Sequence, residues 1–183
     1  MSFFSKIAGA SLALALTTAA GVAAPVGLGD VVVASGGTVT AYFQGHTAGY
    51  TSELYLDVAG EDDLFIFNNH ANAVGDSLEL GSFAAGTELK FYIKVLNTGD
   101  VFFTGPGSRN ADGMAHAMVV PEWVPGQTFV GFEDLFGGGD QDYDDLKFSF
   151  SNTTSAPPAV PVPAAGLLLA GGLGLMATRR KRG

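Results

Sequence analysis

The chain has 183 residues, a net charge of −9, 26 glycines and no cysteine. This length leaves room for one domain of ordinary size. The lack of cysteine excludes a disulfide framework and a thiolate nucleophile, and the acidity argues against nucleic acid as a partner, because nucleic-acid-binding proteins present a basic face. The mean hydropathy is nevertheless positive, so the chain must combine segments of very different composition.

The first segment, residues 1–23, has the pattern of a secretory signal peptide. Lys6 provides a positive charge, residues 7–20 form an uncharged apolar run, and small residues at 21–23 precede the expected cleavage site. An uncleaved N-terminal anchor is the alternative, but the apolar run is shorter than the ~20 residues that span a bilayer. We therefore expect an exported protein whose mature chain starts at residue 24.

Residues 24–154 predict an all-β domain, an antiparallel β-sandwich with a jelly-roll-like arrangement. Apolar and polar residues alternate at 53–58, 88–95 and 146–150, which is typical of strands with one buried face. This segment carries four cationic residues against all 18 acidic residues, a net charge of −14. Further strands, separated by glycine, asparagine or aspartate, are expected at 31–33, 39–44, 64–67, 77–80, 101–104, 115–120 and 128–132.

The middle of this domain holds polar residues that could bind a metal ion. Asn110 and Asp112 are either ordinary turn residues or oxygen ligands, and the sequence leaves both interpretations open. His116 lies in an apolar strand and is expected to pack there or to orient a carboxylate. His46 and His70 lie in loops without ligand spacing to each other, so we do not expect a zinc site.

The segment 132–147 concentrates the acidic chemistry, since six of its 16 residues are Asp or Glu. Carboxylates this close repel one another, and a Ca²⁺ ion, which takes six to eight oxygen ligands, would remove the repulsion. Three consecutive glycines at 137–139 give the loop the freedom to wrap around an ion. The predicted calcium ligands are Glu133, Asp134, Asp140, Asp142, Asp144 and Asp145, with Asn110 and Asp112 as further candidates.

The spacing is not that of an EF-hand, because positions six and twelve counted from Asp140 are Asp145 and Ser151 rather than glycine and glutamate. A solvated acidic hairpin tip without an ion is the alternative. The residues 131–135 and 138–146, Gly-Phe-Glu-Asp-Leu and Gly-Gly-Asp-Gln-Asp-Tyr-Asp-Asp-Leu, resemble an uncharacterised family of bacterial surface domains. The resemblance implies a calcium-binding β-sandwich and implies no activity.

The C-terminal segment has three parts. A proline-rich linker at 155–159 is expected to hold no strand or helix. An apolar helix follows, and a basic cluster closes the chain on the cytoplasmic side of a membrane. The apolar run 164–178 would span only about 22 Å, so it is either lengthened by residues 160–163 or a temporary anchor. The motif residues are Val160, Pro161, Val162, Pro163, Gly166, Arg179, Arg180, Lys181 and Arg182.

This three-part order resembles the PEP-CTERM class of sorting signals, in the variant that begins Val-Pro-x-Pro-Ala. The resemblance implies a Gram-negative bacterium in which an exosortase-type membrane protease cuts near the motif after signal peptidase has acted. The protein would be held in the membrane transiently by its C-terminal helix and then pass to the cell surface or extracellular matrix. A plain tail anchor is the alternative, whereas a GPI signal would end in apolar residues.

Three functions follow from these features. The first is a non-enzymatic structural or adhesive protein of the cell surface, matrix or biofilm, with a β domain stabilised by Ca²⁺. The second is a calcium-dependent module that binds an extracellular polysaccharide. The third, a hydrolase, is disfavoured because the chain lacks the Gly-x-Ser-x-Gly, His-Glu-x-x-His and P-loop motifs.

Overall fold

Twelve antiparallel strands and one short 3₁₀ helix make up residues 29–156, the part of the chain that the computed structural model describes. The predicted all-β, antiparallel fold is confirmed, whereas the signal peptide at 1–23 and the sorting signal at 160–183 lie outside the described residues. The strands are β1 (Asp30–Val33), β2 (Gly37–His46), β3 (Ser52–Leu56), β4 (Leu64–Asn68), β5 (Ser77–Phe83), β6 (Glu88–Leu89), β7 (Phe91–Val95), β8 (Val101–Phe103), β9 (Ala117–Val124), β10 (Gln127–Phe132), β11 (Leu146–Ser151) and β12 (Thr153–Ala156), and the 3₁₀ helix is Gly107–Arg109.

The strands form three sheets. A five-stranded sheet has the order β5-β2-β11-β10-β9, a four-stranded sheet has the order β4-β3-β7-β8, and a small sheet has the order β12-β1-β6. Strands β9, β10 and β11 form a meander of consecutive hairpins. A meander connects neighbouring strands by hairpins, whereas a jelly roll is built from two Greek keys.

The two larger sheets pack face to face and bury an aromatic core between them. Phe43 of β2 contacts Phe67 of β4 with ring centroids 5.9 Å apart, and Phe67 stacks on Phe148 of β11 at 6.2 Å. Phe91 of β7 stacks on Phe150 of β11 at 4.0 Å. Each of these rings is at most 2% exposed, so they supply much of the apolar burial that holds the sandwich together.

The outer face of the four-stranded sheet carries a row of aromatic residues, one from each strand. Phe65, Tyr55, Tyr92 and Phe103 are direct cross-strand partners. The Tyr55 and Tyr92 rings are nearly parallel with centroids 5.1 Å apart, and Phe65 meets Tyr55 edge-on at 5.6 Å. Tyr55 and Tyr92 cover each other's ring faces, so the row stabilises the sheet as cross-strand pairs do, whereas Phe65 at its end stays 45% exposed.

The predicted strand at 88–95 is wrong in one respect, because the chain divides it between two sheets. Residues of β6 pair with β1, and residues of β7 pair with β3 and β8. Lys90 lies at the break, where its carbonyl accepts the N–H of Asp57 at 2.9 Å and its ammonium pairs with the Asp57 carboxylate. The alternation of apolar residues continues through the break, so periodicity alone could not reveal it.

The predicted boundary between the domain and the linker at 155–159 is also wrong. Ser155 and Ala156 belong to β12, where they pair with Val31 and Asp30 of β1. Residues before a proline favour extended backbone, and Ala156 precedes Pro157, so the strand continues up to the proline. The domain therefore includes at least two residues more than the sequence predicted.

Three connections meet at one end of the sandwich, namely those between β2 and β3, between β8 and β9, and between β10 and β11. The N–H of Glu133 donates to the carbonyl of His116 at 2.9 Å, and the N–H of Thr47 donates to the carbonyl of Asp144 at 3.2 Å. This end holds the acidic loop. Between residues 29 and 156, no helix is long and apolar enough to cross a membrane.

Candidate metal centre

The acidic loop is the connection between β10 and β11, whose ends pair directly at Phe132 and Leu146. Gly137, Gly138 and Gly139 all have positive φ, at 87°, 83° and 49°, which residues with a side chain adopt only at a cost. The loop folds back over β10 so closely that a Cβ atom at Gly131 would collide with the Tyr143 carbonyl. The glycines thus allow the loop to curl against its own hairpin.

Three carboxylates converge inside this loop. Glu133, Asp140 and Asp142 each offer an oxygen, and these oxygens lie within 4.8 Å of one another. Asp140 and Asp142 are exposed, whereas Glu133 is only 1% exposed. We call these three residues the carboxylate cluster.

One carboxylate oxygen of Glu133 is hydrogen-bonded, and the other has no hydrogen-bond partner among residues 29–156. Its Oε1 atom accepts the N–H of Tyr143 at 2.6 Å, but its buried Oε2 atom has no hydrogen-bond partner among residues 29–156. A Cβ atom at Gly139 would displace Oε2 from its observed position, so the glycine lets the loop pass directly beside this oxygen. A buried carboxylate oxygen without a donor costs free energy unless a cation or proton meets it.

The electrostatics of Glu133 agree with this geometry. Burial raises the pKa of Glu133, the N–H of Tyr143 lowers it in part, and the charges of Asp145, Asp140 and Asp142 raise it further. The net shift is upward, which means that the cluster lacks positive charge.

Asp134 and Asp145 form a second pair of carboxyl groups outside this set of three. The N–H of Asp134 donates to Asp145 Oδ2 at 3.1 Å. Asp134 is 3% exposed, and its Oδ2 atom has no partner in the part of the chain that the structure describes. Burial, followed by the charge and hydrogen bond of Asp145 and the charge of Glu133, raises the pKa of Asp134 to about 7.

Asp144 joins the loop to the β2–β3 connection instead of entering the carboxylate cluster. Its Oδ1 atom accepts the hydroxyl of Thr47, and its Oδ2 atom lies 3.9 Å from the Lys147 ammonium. Its N–H donates to Asp142 Oδ1 at 3.1 Å. Asp144 therefore fixes the position of the loop and of Asp142.

Asn110 is placed away from the cluster with both ends of its side chain engaged. Its Oδ1 atom accepts the N–H of Phe103 at 2.7 Å, and its Nδ2 atom donates to the carbonyl of Met114 at 2.7 Å. Of the two interpretations that the sequence left open, this geometry is that of a turn residue.

Asp112 is likewise occupied by hydrogen bonds. Its Oδ1 atom accepts the N–H of Met114 at 3.0 Å, and its Oδ2 atom accepts the N–H of Gly137 at 2.8 Å and meets His116 Nε2 at 2.7 Å. Burial acts to raise the pKa of Asp112, but the bonds from Gly137, His116 and Met114 outweigh it and lower the pKa to about 2. Asp112 anchors the glycine turn of the loop to the β8–β9 connection.

His116 orients this carboxylate from a fully buried position. It is 0% exposed, stacks on Phe102 with ring centroids 3.7 Å apart, and presents Nδ1 to the carbonyl of Glu133 at 3.1 Å. Both of its nitrogens face acceptors, so an imidazolium would donate to Asp112 and Glu133 together. The sequence-based expectation of a packed, carboxylate-orienting histidine agrees with this placement.

The prediction that His46 and His70 both lie in loops is wrong for His46, and the two rings lie close together. His46 ends β2, and the two rings lie with centroids 4.9 Å apart. One nitrogen of each ring faces a backbone carbonyl, that of Ala48 at 3.3 Å and that of Tyr50 at 3.0 Å. Twenty-four residues separate the two along the chain, so no spacing rule signals the contact. Within 29–156, neither belongs to a group of three metal-binding side chains.

Sequence reasoning missed the part of the β2–β3 connection that borders the acidic loop. Gly49 and Tyr50 line a pocket of about 400 Å³ together with Asp134, Leu135 and Asp145. Tyr50 is more than 80 residues from the loop in the chain, and no motif links them. Only the folded topology brings them together.

Comparisons with known proteins add little to this geometry. No protein-family model and no curated protein matches the chain. The chain is similar to the high-affinity mannose-binding lectin of Ralstonia solanacearum, with 18% sequence identity, coverage of 67% of this chain and 93% of that chain, and a TM-score of 0.37.

Proposed function

We propose that this protein is an exported, non-enzymatic structural or adhesive protein of the cell surface or extracellular matrix, whose β domain is stabilised by a Ca²⁺ ion at the carboxylate cluster. The observation that carries the calcium site is the buried Glu133 Oε2 atom, which has no partner within 29–156 and lies in a cluster with oxygens of Asp140 and Asp142. A cation there would satisfy the orphaned oxygen and remove the repulsion among three carboxylates.

The donor set favours calcium over other common metals. All three side chains of the cluster offer carboxylate oxygens and no nitrogen or sulfur, which suits a hard cation rather than zinc or copper. Ca²⁺ takes six to eight oxygens in flexible geometry, including backbone carbonyls and water. An irregular glycine-rich loop with two exposed carboxylates can supply such a set more easily than the strict octahedron that Mg²⁺ requires.

The burial of the histidine–carboxylate pair, the one such pair found between residues 29 and 156, supports the non-enzymatic assignment. The side chains of His116 and Asp112 are 0% and 4% exposed, and both are used in hydrogen bonds that hold the loop. A general acid or base must reach the substrate, which this pair cannot do. The remaining carboxylates gather like metal ligands.

Melting experiments test the calcium site. At a Ca²⁺ concentration one hundred times the Kd, ligand binding to the folded state adds about 2.7 kcal/mol of stability, so the Tm of the protein should be about 10 °C higher in Ca²⁺ than in EDTA for a domain of this size. Mg²⁺ at the same concentration should give a much smaller shift. An unchanged Tm at millimolar Ca²⁺ would remove the basis of the proposal.

Export and sorting are tested separately on protein from the native host. Signal peptidase should remove residues 1–23, and the exosortase-type protease should remove the basic tail Arg179–Arg182. Mass spectrometry of surface-associated protein should therefore show a mature chain that lacks both ends. Recovery of chains that retain the basic tail would argue for a plain tail anchor.

A calcium-dependent polysaccharide-binding module is the second candidate function. It is favoured by the pocket at Tyr50, which adjoins the acidic loop. A glycan array with and without chelator separates the two functions. Binding that disappears in EDTA would favour the module, and a blank array in Ca²⁺ would favour the structural role.

A further inference from the structure

The pocket beside the acidic loop is built from residues that do not belong to the carboxylate cluster. It has a volume of about 400 Å³, and its walls are Gly49, Tyr50, Asp134, Leu135 and Asp145. This volume lies within the range of sites that hold small organic ligands. A ligand bound here would deepen the second candidate function, on which its identification rests, and it would use residues outside the carboxylate cluster.

The two carboxylates of the pocket, Asp134 and Asp145, are hydrogen-bond acceptors. Asp134 is 3% exposed, and its Oδ2 atom finds no donor anywhere in residues 29–156. In the same part of the chain, neither Asp134 nor Asp145 makes an ion pair with Lys or Arg. The missing partner is therefore a donor that carries positive charge.

The pocket suits an organic cation better than a metal ion. Calcium takes six to eight oxygens, whereas two carboxylates meet here, and in the described residues the one group of three metal-binding side chains is the carboxylate cluster. Leu135 is 44% exposed and Tyr50 is aromatic, so part of the wall is apolar. An ammonium group on a carbon framework would meet both kinds of surface, since an apolar or aromatic wall accepts its carbon atoms.

A ring that carries several donors fits better than a single extended chain. Two carboxylates offer four oxygens, of which Asp145 Oδ2 already accepts the N–H of Asp134. A lysine side chain brings donors only at its tip. An unacetylated amino sugar brings an ammonium group with neighbouring hydroxyl donors on a compact ring, and so reaches both Asp134 and Asp145.

We propose that the pocket formed by Tyr50, Asp134, Leu135 and Asp145 binds the ammonium group of an unacetylated amino sugar. The ammonium group lies against the Asp134 and Asp145 carboxylates, a hydroxyl of the ring donates to the remaining carboxylate oxygen, and the carbon face of the ring packs on Leu135. Anionic sugars are excluded by the two carboxylates.

The test compares three sugars that differ at one substituent. Glucosamine, glucose and N-acetylglucosamine are titrated into the full-length protein in Ca²⁺ at neutral pH, and binding is followed by calorimetry or by saturation-transfer NMR. Glucosamine should bind at least tenfold more tightly than the two neutral sugars. Equal binding of glucose or N-acetylglucosamine would overturn the proposal, because the charge would then play no part. Nα-acetyl-lysine amide, which keeps the ammonium group of a lysine side chain, is titrated in the same way. If it binds as tightly as glucosamine or more tightly, the proposal is overturned in favour of a protein partner.

Variants locate the site and separate it from the calcium site. Asp134→Asn and Asp145→Asn should each weaken glucosamine binding at least tenfold, whereas Asp62→Asn, an exposed aspartate elsewhere, should not change it. Equal loss in Asp62→Asn would overturn the proposal, because it would show non-specific attraction to an acidic surface. Asp142→Asn, which alters the carboxylate cluster, should retain glucosamine binding, so a failed calcium site leaves this test intact.

A variant at an exposed position guards against loss of folding. Leu135→Ser removes the apolar wall from a side chain that is 44% exposed, so the Tm should stay within a few degrees of the parent protein. Glucosamine binding should weaken about threefold, as expected for the loss of part of an apolar contact. Unchanged binding in Leu135→Ser together with unchanged binding in Asp134→Asn would overturn the proposed site.

Discussion

Two buried carboxylates at the same end of the sandwich differ in how they are satisfied. Asp112 accepts hydrogen bonds from Met114, Gly137 and His116, and its pKa is lowered to about 2. Glu133 accepts one bond from Tyr143, leaves Oε2 without a partner among the described residues, and has a raised pKa. Both are acidic residues that the sequence offers as calcium ligands, so residue type does not distinguish them. The hydrogen bonds show that Asp112 holds the loop and that Glu133 is available to a cation.

The largest effect on stability should come from removing Asp112, the carboxylate whose two oxygens are both hydrogen-bonded. Asp112→Ala leaves two backbone N–H groups and the buried His116 without their acceptor, which we expect to cost about 3–5 kcal/mol. Most of the loss should already be present in EDTA, because Asp112 is not part of the carboxylate cluster. Urea unfolding in both conditions measures it.

A loss of stability that occurs only in Ca²⁺ would contradict the different roles assigned to Asp112 and Glu133. If Asp112→Ala lost stability only in Ca²⁺, Asp112 would be a metal ligand as the sequence allowed. Asp62→Asn is the control, and its stability should stay within about 0.5 kcal/mol of the parent protein.

In the absence of calcium, Glu133→Gln should raise the stability of the protein, whereas Asp112→Ala lowers it. The amide oxygen keeps the bond from Tyr143, while the amide nitrogen donates to the neighbouring carboxylates and removes a buried negative charge. We expect the protein in EDTA to gain about 1 kcal/mol, and the stabilisation by Ca²⁺ to disappear. Melting curves in EDTA and Ca²⁺ measure both effects, and a loss of stability in EDTA would show that Glu133 is structural like Asp112.

The pH dependence of the calcium-free protein should show the same contrast. The pKa of Asp134 is raised from 3.8 to about 7 in the folded protein. Between pH 3.8 and pH 7, Asp134 is therefore protonated in the folded state and ionised in the unfolded state. Stability should therefore fall as the pH rises from about 4 to 7. Asp112, with a pKa lowered from 3.8 to about 2, has the reverse effect, so stability should also fall as the pH drops below about 4.

Free energies of unfolding at pH 5 and pH 7.5 in EDTA measure the first of these slopes. The Asp134→Asn variant cannot ionise at this position, so its difference between the two pH values should be smaller than that of the parent protein. An identical difference in both proteins would mean that Asp134 does not carry the slope.

The sequence predicted the strands and the acidic loop better than it predicted the contacts of single residues. Alternation identified β3 and β11 because one face of each is buried, whereas β12 has no such pattern and owes its strand to pairing with β1. The density of carboxylates pointed to the loop that holds Glu133. Which acids gather in the carboxylate cluster and which anchor the loop depends on Tyr143, His116 and Gly137. The folded chain, and no local pattern, sets their positions relative to the acids.

The smallest effect on stability should come from Asp142→Asn, which tests the exposed side of the carboxylate cluster. Asp142 is exposed, and its Oδ1 atom accepts the N–H of Asp144, a bond that the Asn oxygen can keep. Stability in EDTA should therefore change by less than about 0.5 kcal/mol. Calcium affinity should nevertheless fall by about tenfold, because Ca²⁺ sites are tuned by the number of charged ligands. Calorimetric titration with Ca²⁺ measures the change. An equal fall in Asp62→Asn would mean that the overall acidity of the domain, rather than the cluster around Glu133, attracts the ion.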